Sequence, residues 1–114
     1  MRHFKKEEFQ CPCCIQNEMD PIFLSRLEAL RDMFQGPLIV NSAYRCEAHN
    51  QKIGGYPNSQ HLLGKAADIS TDGMSSGKKH ELMNLANRLG FGGIGVYPTF
   101  FHLDMRDEPK LWVL

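Results

Sequence analysis

Residues 99–106, "TFFHLDMR", alternate without a break between two kinds of side chain. Phe101, Leu103 and Met105 fall on one side of an extended chain, and Phe100, His102, Asp104 and Arg106 on the other. A period of two over this length fits a β-strand with one face against a core. It commits the chain to a sheet whose second face carries an imidazole beside a carboxylate. Core packing accounts for the apolar set. It does not demand the polar set, for which the plainest use is an Asp104–Arg106 ion pair on a solvated face. The residues just before, "GGIGVYP", read as a partner strand and a turn at Tyr97-Pro98-Thr99.

Helices supply the other half of the fold. In residues 20–36, Asp20 is placed to cap a helix and Pro21 to occupy its first position. Phe23, Leu24, Leu27, Leu30 and Phe34 recur at helical spacing, and Gly36-Pro37 predicts the stop. A second long helix is predicted from Ser75 or Ser76 to Gly90, with Leu82, Leu85, Ala86 and Leu89 facing inward. "PLIVNSAY" predicts a buried strand from Leu38, and residues 47–53 a short helical turn ended by Gly54-Gly55. The expectation is an α+β fold, a small antiparallel sheet with helices packed on one side. At 114 residues, with no repeat, linker or low-complexity segment, it is expected as a single domain over 1–114.

Residues 59–70, "SQHLLGKAADIS", hold His61 and Asp68 in an otherwise small and apolar run. A continuous helix would part these two by about 10 Å. A continuous strand would part them by more than about 20 Å, on opposite faces. They meet only if the chain bends between them, and Gly64 is placed to allow it. Beyond the bend "KAADIS" alternates, with Ala66, Asp68 and Ser70 on one face and Ala67 and Ile69 on the other. Asp68 then has open space above small Ala66, and Ser59 is placed to support the His61 loop. Taken with His102, the chain offers two imidazoles and one carboxylate. Such donors suit Zn²⁺, and three of them leave a fourth position for water.

Charge and cysteine usage bound the remaining possibilities. Lys and Arg number 13, as do Asp and Glu, so the net charge is zero. That gives no strong electrostatic footprint for nucleic acid and no basic run for a membrane surface. No apolar stretch approaches a membrane span, and "MRHFKKEEFQ" is not of signal-peptide type. The expectation is a monomer made in the cytoplasm without a signal peptide. Cys11 and Cys14 have C-x-x-C spacing, Cys46 and His49 have C-x-x-H spacing, and Cys13 lies between the first two. A structural zinc, a disulfide to Cys46 and free thiols all remain open. Tyr97 and Trp112 are placed either to wall a cleft or to join the core.

Residues 42–69, "SAYRCEAHNQKIGGYPNSQHLLGKAADI", followed by "GIGVYPTFFHLDMR" at 93–106, resemble the zinc D-alanyl-D-alanine carboxypeptidases and their relatives. Those relatives include L-alanyl-D-glutamate endopeptidases of phage lysins and, in fold, a distant hedgehog-like group. The S-x-H-x-x-G-x-A-x-D pattern matches at Ser59, His61, Gly64, Ala66 and Asp68. H-x-D matches at His102 and Asp104, and S-x-Y-R at Ser42, Tyr44 and Arg45. The resemblance spans most of the chain, from "FKKEEFQCPC" to Trp112.

The resemblance implies a zinc peptidase that cuts stem peptides of bacterial peptidoglycan, as carboxypeptidase or endopeptidase. His61, Asp68 and His102 would bind the zinc, and Arg45 would stabilise the oxyanion. Many relatives place an acid three residues before the last zinc histidine, where this chain has Thr99. Asp104, on the same strand face as His102 and about 7 Å along it, is the expected general base. Its other use is to orient a zinc histidine. The missing acid also leaves an alternative, a non-catalytic zinc-containing module that binds cell-wall peptide or a protein partner. The blandest reading is a structural domain with zinc at the cysteines alone. The expected place of action is the cell wall, reached by phage-mediated release.

Overall fold

The structure, a computed structural model, describes residues 3–14 and 16–114. Helix α1 (Pro21–Phe34) starts as the sequence predicts. Asp20 accepts a hydrogen bond from the Phe23 N–H at 2.9 Å, and Pro21 sits in the first turn, where no N–H is required. Phe23, Leu27, Leu30 and Phe34 form its buried stripe. The helix is ended by Gln35, which takes a left-handed φ of 56°, and not by Gly36. Strand β1 (Val40–Ser42) is shorter than "PLIVNSAY" implied, and helix α2 (Glu47–Lys52) follows it.

Strand β2 (Ala66–Ser70) leads to helix α3 (Ser76–Arg88), whose cap is Ser75 accepting from Lys78 N–H. The chain closes with strands β3 (Gly93–Val96), β4 (Phe100–Asp104) and β5 (Lys110–Val113). The sheet order is β1-β2-β4-β3-β5. The hairpin β3–β4 is as expected. The sheet as a whole is mixed, because β5 pairs with β3 in parallel. Strands β2 and β3 already fill both edges of β4, and β5 adds at the far edge of β3. The chain has reversed once after β3 and reverses again after β4, and it arrives there running in β3's direction.

The two faces of this sheet are chemically distinct. Ala67, Ile69, Ile94, Phe101 and Leu103 are buried in one core with the inner residues of α1 and with Leu82 and Ala86 of α3. The other face carries the polar residues of the alternating strands. Register aligns Ser42, Asp68, His102, Gly95 and Trp112 in one row across all five strands. Among the described residues, no helix is long and apolar enough to cross a membrane.

Candidate metal centre

His61 reaches the polar face from a 3-10 turn, Gln60–Leu63, which the sequence had suggested only as a loop. Ser59 caps this turn by accepting the His61 N–H at 3.2 Å. Gly64 closes it at φ +68°, and its missing Cβ lets the turn press against the Glu18 backbone. This bend turns His61 back over β2, towards Asp68. Asp68 and His102 are direct partners in the β2–β4 ladder.

The donor atoms of His61, Asp68 and His102 all lie within 4.8 Å of one another. His61 Nε2 is 3.3 Å from Asp68 Oδ1, and His102 Nδ1 is 3.0 Å from the same oxygen. Both imidazoles have their opposite nitrogens engaged. His61 Nδ1 lies 2.6 Å from the Ala43 carbonyl, which can only accept, so Nδ1 carries the proton. His102 Nε2 lies 2.7 Å from Asp104 Oδ2 and donates to it. Lone pairs on His61 Nε2 and His102 Nδ1 therefore converge on a carboxylate oxygen. Such a group repels itself unless a proton or a metal cation sits within it. His61 Nε2 is buried and has no hydrogen-bond partner, the one member of the set left without any. A buried imidazole nitrogen aimed at a carboxylate and a second imidazole gives these three residues the donor types of a candidate metal site.

The surrounding charges keep the two carboxylates ionised and favour a proton on His102 that a metal ion would displace. Burial opposes ionisation of Asp68, but the hydrogen bond to His102 and the adjacent His61 imidazole outweigh it and hold its carboxyl well below the usual range. Burial likewise works against a charge on His102, yet Asp104 and Asp68 outweigh it and raise the imidazole's pKa. Burial also opposes ionisation of Asp104, and here His102 and Arg106 outweigh it and keep the carboxyl low.

Asp104 has no exposed surface. Its Oδ1 accepts the Arg106 N–H and Nε–H at 3.0 Å each, and its Oδ2 accepts from Arg106 Nη2 at 2.6 Å. Space for this carboxylate comes from Gly93, its cross-strand neighbour, where a Cβ would overlap Asp104. The expected Asp104–Arg106 pair thus exists, but its carboxylate is buried behind His102 on the side away from Asp68, while Arg106 stays partly exposed.

Arg45 lies at the rim, with its Nη2 3.5 Å from Asp68 Oδ2. Its Nε donates to Ser42 Oγ at 3.3 Å and its Nη1 to Asn50 Oδ1 at 3.1 Å. Asn50, buried in α2, is a positioning residue that hydrophobic periodicity has no means to reveal. The cluster opens into a cleft of about 800 Å³. Tyr97, Phe100 and Trp112 wall one side, with Tyr97 stacked on Phe100 at 4.4 Å and Trp112 Nε1 donating to Tyr97 Oη at 2.9 Å. Arg45, Arg106 and Lys110 also line it, and Asp68 is the one acidic side chain among its lining residues. Thr99 is exposed and lies outside the lining.

Comparison with protein families matches residues 2–104 to the family described as Peptidase M15. A search of curated proteins finds no match.

Proposed function

This chain belongs to the peptidase M15 family, whose members are metal-dependent peptidases, and from that premise we propose that it hydrolyses stem peptides of bacterial peptidoglycan with zinc held by His61, Asp68 and His102. The observation that carries the reading is the unpartnered His61 Nε2 facing Asp68 and His102. Zinc in a site of two imidazoles and one carboxylate supplies Lewis acidity, which polarises a peptide carbonyl and makes water a nucleophile near neutral pH.

The chain's own residues do the rest. Ala43 and Asp104 fix the two imidazole tautomers, so that each presents a lone pair inward. Arg45, pinned by Ser42 and Asn50, holds a guanidinium at the rim to stabilise charge developing on the carbonyl oxygen. The aromatic wall and the cations Arg106 and Lys110 suit a short peptide bearing free carboxylates, as stem peptides do. Asp104 acts as a positioning residue and not as the general base. Its carboxylate is fully buried, and it meets His102 through the nitrogen that points away from Asp68.

One observation favours a second reading. Among the described residues lining the cleft, no acidic side chain besides Asp68 is present to take up a proton. A module that keeps the metal and binds wall peptide without cutting it would need none. Digestion of purified peptidoglycan, with mass spectrometry of the soluble products, separates the two. The peptidase releases peptides cut at one type of bond, and His61→Ala releases none. Retention on the wall without products, by zinc-loaded wild type, establishes the binding module and overturns the peptidase.

A further inference from the structure

A second convergence of donors lies outside the cleft and serves none of the roles above. The sulfurs of Cys11, Cys13, Cys14 and Cys46 all lie within 4.8 Å of one another. Three of the separations are 3.5 Å (Cys11–Cys13), 3.6 Å (Cys11–Cys46) and 3.2 Å (Cys13–Cys46). A tetrahedron of sulfurs around zinc at ~2.3 Å has edges of roughly 3.8 Å. A disulfide would bring two sulfurs to ~2.05 Å and leave the others unused. All four cysteines are free thiols, and they surround a common point.

The local backbone is arranged to stabilise thiolates. The Cys46 N–H points at Cys11 Sγ at 3.4 Å, and the His49 N–H points at Cys46 Sγ at 3.4 Å. Amide donors aimed at sulfur favour the charged form that a soft cation needs. Four thiolates together in a partly buried corner would repel one another, so they call for a divalent cation. His49 contributes its backbone N–H but is not part of the group of donors, and its place is taken by Cys13.

We propose that Cys11, Cys13, Cys14 and Cys46 bind a structural Zn²⁺ as a tetrathiolate, separate from the His61–Asp68–His102 centre. The site joins the N-terminal segment to the loop between β1 and α2 across 35 residues of chain. That loop bears the adjacent Arg45, and its Ala43 carbonyl fixes the tautomer of His61. Tyr44 N–H also donates to the Phe9 carbonyl at 3.1 Å, so the segment already lies against this loop. A zinc clamp here closes a long loop in the unfolded chain and fixes the backbone on which the cleft's guanidinium stands.

Zinc content and X-ray absorption of the purified wild-type chain provide the test, beside His61→Ala and the exposed-site variant Cys13→Ser. Two zinc equivalents are expected in the wild type and one in each variant. The zinc left in His61→Ala should be surrounded by sulfur alone, at ~2.3 Å. If Cys13→Ser does not fold, the sulfur shell in wild type and in His61→Ala decides by itself. Should the His centre hold no zinc, the wild type would carry one equivalent with sulfur only. That result keeps this site and removes the metal reading of the cleft. A His61→Ala chain free of zinc, an iron atom among the sulfurs, or a mass two hydrogens short in denaturant would each overturn the proposal.

Discussion

At the scale of single residues, Asp104 and Arg45 give the sharpest tests. Asparagine in place of Asp104 keeps the shape but removes the charge that holds the His102 Nε2–H and the Arg106 fork. If Asp104 positions a metal ligand as proposed, Asp104→Asn should weaken zinc binding by about 10- to 100-fold. Hydrolysis should fall in step and recover when zinc is raised to saturation. Chelator competition and rate measurement on the same samples check this. Full zinc occupancy with no turnover would instead make Asp104 the base. Arg45 touches Asp68 only at 3.5 Å and is held by Ser42 and Asn50, so its loss leaves the metal donors in place. Arg45→Ala should keep its zinc and lose about 10²- to 10³-fold in kcat, as removal of an oxyanion donor does.

At the scale of elements, the glycines of β3 are the clearest case of sequence serving the site. Gly95 lies between His102 and Trp112 in the cross-strand row, and a Cβ there would come within 2.5 Å of the indole. Gly95→Ala must push Trp112 off β3 or shift the strand, at a cost of about 1–3 kcal/mol. A lowered melting temperature, together with loss of the Trp112–Tyr97 contact in fluorescence, would show it.

The same element explains what could be read beforehand. The alternation of residues 99–106 gave the faces of β4 correctly, since side chains on a strand have nowhere else to go. The cap at Asp20 and the stripe of α1 were equally plain. Alternation assigns a face but not a depth. That Asp104 lies buried behind His102 depends on Gly93 opposite it, on another strand. The strand β5 was missed because "KLWV" is short and mostly exposed, and only pairing with β3 makes it a strand. Cys13 was harder to read than Cys11 and Cys14 because spacing rules favour C-x-x-C, whereas the fold of the segment places all three around one point.

At the scale of the whole molecule, the proposed zinc centre would couple folding to metal binding through protons. The candidate donor set is assembled from two distant stretches of chain, so zinc bound there would stabilise the folded state by mass action. The gain is about 2.7 kcal/mol when free zinc stands at 100 times its Kd. A chelator should lower the melting temperature, and zinc should restore it. The pH dependence has a definite sign. His102 holds its proton more tightly than a free imidazole, and zinc must displace that proton to use Nδ1. Zinc affinity should therefore begin to fall, on acidification, above the ordinary histidine pKa of about 6.5. Zinc titrations at a series of pH values measure the onset. Affinity that stays flat until well below that value would contradict the arrangement.

The two-faced sheet has a consequence for how a chain of this design can change over generations. Ile69, Phe101 and Leu103 look towards the helices, while Asp68, His102 and Asp104 look the other way from the same two strands. The sheet is a partition, with endurance on one side and chemistry on the other. Lys110 and Trp112 stand at its last strand, where the chain is least committed to either. Substitutions at exposed Lys110 can change the charge of the cleft's edge without drawing on the stability kept behind the wall, whereas Trp112 is tied to Gly95 and Tyr97. The edge of the proposed cleft can thus change one residue at a time while the core behind the sheet stays as it is.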